Sequence, residues 1–298
     1  MIFLTAATLF SAAFNLLMRF GQDRKCDMTA LGAVNYITAA LYNIVVLSVT
    51  GALTAAGHPG QGPHAGSLLV GVAGGCAFVT TYFLLFHHLR RRGVTITMAV
   101  TRLAALFPVV VSLVVWRDRT NAVQIAGGAI ALVSLPLLSV RPSQAGEGRN
   151  RGGVLLMSAL FVAQGLCLLA PRVFNQTGIR GEDAYFLAAL FGTAAIASSS
   201  VWVVQSVRSR RERRAPAGPV LVTVILGIVL GLTNTFASQF LVSSLLDVPS
   251  ILVFPFYSTV GLLITVVFSR IVWRETINRL ETAGIVMACA AVVLMNLA

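Results

Sequence analysis

Residues 220–240 read VLVTVILGIVLGLTNTFASQF, an uncharged run with glycines at 227 and 231. A helix needs roughly 20 apolar residues to cross the hydrocarbon core of a bilayer, and this stretch is long enough by itself. Nine further runs of the same kind lie at 2–20, 29–53, 67–89, 94–116, 122–140, 154–173, 184–204, 248–272 and 280–298. They are continuous, whereas barrel strands would alternate apolar and polar residues. The breaks between them hold turn formers or charge: the Gly/Pro/His stretch 57–66, Arg90-Arg91-Arg92-Gly93, the linker 141–153 and the basic segment 208–219. The pattern predicts an all-α membrane protein of ten transmembrane helices.

Composition excludes a soluble globular chain. Of 298 residues, 57% are hydrophobic and 11% charged, against about 25% charged in soluble domains. The mean hydropathy is +0.85. The first run lacks a basic leader and a small-residue cleavage site, and it reads as a retained span, not a signal peptide. Cys26, Cys76, Cys167 and Cys289 form no close-spaced pair, so they read as packing residues and not as a disulfide or zinc framework.

The net charge of +12 does not point to nucleic acid, because the basic residues form no cationic face of their own. They lie in the short connections. Arg19, Arg24 and Lys25, then Arg90–Arg92, Arg141, Arg149 and Arg151, the cluster from Arg208 to Arg214, and Arg270, Arg274 and Arg279 occupy the odd-numbered connections. The even-numbered ones hold only Arg117, Arg119, Arg172 and Arg180. By the positive-inside rule the odd connections face the cytoplasm and both termini face outward, across the inner or plasma membrane of the cell.

The chain repeats itself. Val115-Trp116-Arg117-Asp118, with Asn121 and Gly127, returns as Val272-Trp273-Arg274-Glu275, with Asn278 and Gly284. Gly71 and Gly75 of the third run return as Gly227 and Gly231 of the eighth. Two halves of five spans follow, 1–140 and 154–298, joined by the basic linker 141–153. Five is odd, so the second half enters the bilayer from the opposite side. That is an inverted-topology repeat, an architecture whose substrate site lies near the midplane between the halves.

With Trp116-Arg117-Asp118 and Trp273-Arg274-Glu275 each followed by a Gly-containing last helix, the chain resembles the EamA-like branch of the drug/metabolite transporter superfamily over nearly its whole length. The resemblance implies a ten-helix metabolite transporter with a central cavity, and no particular solute. Many members are drawn with cytoplasmic termini, and the charge pattern here argues the reverse.

Chemistry inside the spans is polar but almost uncharged. All ten acidic residues lie in connections or at span ends, so neither a buried proton-coupling carboxylate nor a metal-dependent transferase site is in view. There is no G-x-x-x-x-G-K-[ST] run for ATP, and no His deep in a span for a Ser/His protease. The expectation is a non-enzyme with no metal and no cofactor. Asp118 and Glu275 read as helix-start acids, beside Asn121 and Asn278 as caps, or as acids that handle substrate. Gly71, Gly75, Gly227 and Gly231 read as close-packing seams, fixed or rocking. Pro108, Pro171, Pro249 and Pro255 read as bends.

The candidate solute-binding residues are Arg102, Asn15, Tyr82, Gln164, Asn234, Gln239, Tyr257 and Ser258. Polar groups in hydrocarbon need partners, across helices or in a wet cavity. Arg102 is the only charge deep in a span, where even the mildest insertion scale sets the cost at about 2.5–3.5 kcal/mol. A carboxylate or phosphate on the solute would pair with its guanidinium fork; helix carbonyls, Tyr or Gln could hold it instead. Two functional classes follow. One is a secondary transporter or facilitator of a small anionic metabolite such as an amino or organic acid, or else of a neutral sugar, nucleoside or vitamin. The other is a non-transporting membrane scaffold or an enzyme of lipid-linked substrates. The expected partners are a small-molecule solute and the bilayer.

Overall fold

The computed structural model describes residues 1–50, 63–116, 121–139, 151–178, 181–211, 218–273 and 279–296. They are all helical apart from short turns. The helices are α1 (Ile2–Asp23), α2 (Met28–Val49), α3 (Ala65–Leu103), α4 (Leu106–Val111), α5 (Ala122–Ser139), α6 (Arg151–Thr177), α7 (Asp183–Arg211), α8 (Val220–Asp247), α9 (Ser250–Trp273) and α10 (Arg279–Asn296). A π-helical turn, Ser112–Trp116, follows α4. Six helical segments are long and apolar enough to cross a membrane among the described residues. Their outer faces carry large apolar side chains such as Leu69, Ile196 and Leu221, as contact with lipid tails demands.

Helix boundaries follow local chemistry. Asp27 caps α2, its carboxylate accepting from the Thr29 and Ala30 N–H groups and from the Thr29 hydroxyl; such a cap is worth about 1 kcal/mol. Asn121 caps α5 through the Val123 N–H, which agrees with the helix-start reading; Asp118, Glu275 and Asn278 lie outside the described residues. The tight link before α2 puts Lys25 at φ 55. There it meets Gly218, itself at φ 74, where a Cβ would strike the Lys25 carbonyl. Only glycine suits that left-handed, crowded position.

One expected boundary lacks the non-helical loop that the sequence suggests. Arg90-Arg91-Arg92-Gly93 does not interrupt the helix, which runs on to Leu103. Arginine is a good helix former and a lone glycine costs only about 1 kcal/mol, so basic sequence alone does not stop a helix. The break falls at Ala104 and Ala105, four and three residues before Pro108, which has no N–H to bond the Ala104 carbonyl; the Phe107 N–H takes that carbonyl instead. The chain nevertheless reverses within this stretch. Thr81 lies 3.1 Å from Cys167, and Phe107 packs on Gly165, half a turn away on the same helix α6. A straight helix from 81 to 103 would carry the chain about 33 Å, and four further residues span at most about 14 Å. Pro171 and Pro255 stay inside α6 and α9, while Pro249 stands just before α9.

The most extensive pairings all cross between residues before and after the linker: α1 with α8, α2 with α7 and α8, α3 with α6 and α7, and α5 with α10. Each half leaves its apolar faces to be covered by the other, so neither reads as a compact unit by itself. The closest approaches are at the glycines. Gly71 and Gly75 lie against the carbonyls of Phe186 and Leu190 and the Cβ atoms of Ala189 and Thr193 on α7. Gly227 and Gly231 lie against the carbonyls of Leu31 and Asn35 and the Cβ atoms of Val34 and Thr38 on α2. Every partner on α2 has its counterpart 155 positions later on α7. Side chains larger than hydrogen would push the helices apart at all four positions.

Candidate functional site

Between the helices lies a cavity lined from six of them: Ser11, Phe14 and Asn15 of α1; Tyr36 of α2; Phe78, Thr81, Tyr82, Leu85 and Thr101 of α3; Gln164, Cys167, Leu168 and Pro171 of α6; Asn234, Ala237, Ser238 and Leu241 of α8; Tyr257 and Ser258 of α9. About 160 Å³ of it is open to the centres of water-sized molecules. One water needs roughly 10–15 Å³ on that measure, so the space suits on the order of ten waters or one solute of similar bulk.

Six of the eight residues expected from the sequence meet there: Asn15, Tyr82, Gln164, Asn234, Tyr257 and Ser258. Gln239 is half-buried one position beyond Ser238 and does not line the cavity. The Arg102 side chain lies outside the described residues, although its neighbour Thr101 is in the wall.

The wall's hydrogen bonds sort its polar groups. The Tyr82 hydroxyl donates to the Met28 carbonyl at 2.6 Å, and the Tyr36 hydroxyl to the Phe78 carbonyl at 3.2 Å. Both protons are thereby committed to backbone, and the two rings meet edge to face at 5.9 Å. Thr81 and Cys167 share a hydrogen bond, so Cys167 is a polar wall residue as well as a packing one. Asn234 donates to the Asn35 carboxamide at 3.4 Å. The side chains of Asn15 and Gln164 have no protein hydrogen bond among the described residues. Both residues line the cavity and their polar atoms are not fully buried, so a solute or water there can pair with them.

The wall also has an internal order. On α3 and α8 the lining positions pair at one spacing of 156: Phe78 with Asn234, Thr81 with Ala237, Tyr82 with Ser238, Leu85 with Leu241. On α1 and α6 they pair at 153: Ser11 with Gln164, Phe14 with Cys167, Asn15 with Leu168. Ser11 and Ser238 were absent from the sequence expectation. The repeat contained the signal for both, because it carries Gln164 back to Ser11 and Tyr82 forward to Ser238. Tyr36, Thr81, Thr101 and Cys167 had no such marker.

No family model matches the chain. An uncharacterized protein of Haemophilus influenzae is 22% identical over 290 residues, 96% of this chain and 94% of that one. A protein of known crystal structure superposes with a TM-score of 0.74 at 15% identity, over 99% of this chain and 96% of its own. The fold is thus shared from end to end. At these identities the likeness shows fold alone.

Proposed function

We propose that the protein is a secondary transporter or facilitator that carries a small polar solute through the central cavity by alternating access. In this reading it spans the cell membrane ten times as an inverted repeat of halves 1–140 and 154–298, is related to the EamA-like drug/metabolite transporters, and catalyses no covalent reaction. The observation that carries the proposal is the cavity wall made from matched positions of the two halves. A pseudo-two-fold axis through the solute site is the arrangement by which inverted repeats rock between two rotation-related states. The matched glycine seams support the same axis, since they let helices of opposite halves meet backbone to backbone. A scaffold would have no use for a polar cavity at that axis.

The charge of the solute turns on one residue. An anion anchored by Arg102 is the reading that residue suggests. The described lining, which sets carboxamides, hydroxyls and aromatic rings among aliphatic side chains and holds no charged residue, favours the neutral class. Purified protein in liposomes, tested for uptake and counterflow against a panel of radiolabelled metabolites, separates these. Counterflow of at least one compound is expected; none across a broad panel would sink the transporter reading. Arg102→Ala should abolish uptake if the solute is an anion, with Arg102→Lys only weakening it. Unaltered uptake by Arg102→Ala would leave the neutral reading.

A further inference from the structure

We infer that the solute is a neutral, flat heterocycle with amide-like edges, of the nucleobase or lactam class; this deepens the transport reading and builds on its cavity. Asn15 on α1 and Gln164 on α6 carry the argument. Each carboxamide holds a donor and an acceptor side by side in one plane, and neither has a protein partner among the described residues. The helices that bear them both line the cavity without packing extensively on one another, so a solute lying between them can touch both. Polar groups within a membrane are costly to leave unpaired, and the cavity is where these two find partners.

The kind of partner follows from the donor–acceptor pair. A carboxylate or phosphate accepts only: it would use the N–H₂ half of each amide and set its negative oxygens against the carbonyl half. A ring carrying N–H next to C=O, or an amino group next to a ring nitrogen, satisfies both halves at once. The rest of the wall suits a flat body. Tyr36 and Tyr82 are buried with their hydroxyl protons committed to backbone carbonyls, so the aromatic surface left to the solute is that of the half-buried rings Phe14, Phe78 and Tyr257, on which planar heterocycles stack. Capacity for about ten waters admits a single or fused ring and not a nucleotide.

The test uses the full chain in phosphatidylethanolamine/phosphatidylglycerol liposomes, offered [14C]uracil, [14C]adenine and [14C]hypoxanthine beside succinate, glutamate and glucose. Saturable uptake of at least one base, competed by the others, is expected. Asn15→Leu and Gln164→Met, each checked for unchanged gel-filtration behaviour, should lower it at least tenfold, as the loss of a bidentate pair would. Leu166→Met, an exposed position on α6 that does not line the cavity, should change it less than threefold. Base uptake that ignores both amide variants overturns the inference. Saturable uptake confined to succinate, glutamate or glucose also overturns it, while leaving the transport reading intact. Base binding to the solubilised protein without uptake upholds the site and removes the transport reading. Neither binding nor uptake of any base overturns the inference.

Discussion

The faces that α3 and α8 turn toward the cavity occupy the same four positions of their halves, yet they share only Leu85 and Leu241. Where α3 presents Phe78, Thr81 and Tyr82, α8 presents Asn234, Ala237 and Ser238. The glycine seams behind these faces differ in the opposite sense, because there the small residue is kept and each glycine meets a carbonyl and a Cβ at matched positions. Backbone approach tolerates nothing larger than glycine, whereas a cavity wall tolerates any side chain that leaves room. Under the proposed repeat, the frame keeps its geometry while its lining diversifies.

The largest test of this comparison is topological. Thr50 at the end of α2 and Ser209 near the end of α7 are both exposed, and they belong to matched helices. In a background with the exposed Cys76 and Cys289 replaced by Ala, Thr50→Cys should react with an impermeant thiol reagent on intact cells. Ser209→Cys should react only after the membrane is opened. Labelling of both from one side would end the inverted repeat. Native Cys26, the only cysteine in a connection, is buried, so it makes a poor reporter of sidedness.

Next come the seams. Gly75→Ala and Gly231→Ala should each destabilise by about 1–3 kcal/mol, the usual penalty for overpacking, read as thermal unfolding of the solubilised protein. The two losses should be similar. A large loss at one and none at the other would mean that the matched contacts are not energetically matched.

Smaller effects probe the walls and the tie between halves. Asn234→Leu removes a polar group where the matched residue is Phe78, and it should reduce uptake about tenfold, the worth of one good hydrogen bond at roughly 1.4 kcal/mol. Phe78→Leu should change uptake by less than half that factor; the reverse ranking would assign solute contact to α3 instead. Asn43 donates at 2.7 Å to Thr235 across α2 and α8, as well as to the Ala39 carbonyl. Thr235→Val leaves Asn43 its backbone partner, so a loss near 0.6 kcal/mol is expected, the average for such bonds in membranes. Unfolding measurements showing several times that would make this tie a principal support of the fold.

Much of this was legible without coordinates, and the reason differs from residue to residue. Residues 220–240 announce a span because hydrocarbon admits no unpaired backbone, so an uncharged run of that length has few other fates. Asn121 announces a helix start because capping is local. Gly71 and Gly227 announce a repeat because spacing survives when side chains change. Arg90–Gly93 was legible in part: the chain does reverse between Thr81 and Phe107, but helical conformation continues through the basic stretch, and the proline that ends it stands further along at 108.

What the sequence determined by itself was therefore the set of terms that depend on neighbours along the chain: helix type, span length, caps, and the twofold pattern of small residues. The tertiary structure decided which polar residues share one space. Asn15, Gln164 and Asn234 meet while Gln239, next to a lining residue, does not, because a single position moves a side chain about 100° around a helix. It decided also that the halves interlock instead of standing apart, since an apolar face satisfied by lipid looks the same in sequence as one satisfied by another helix.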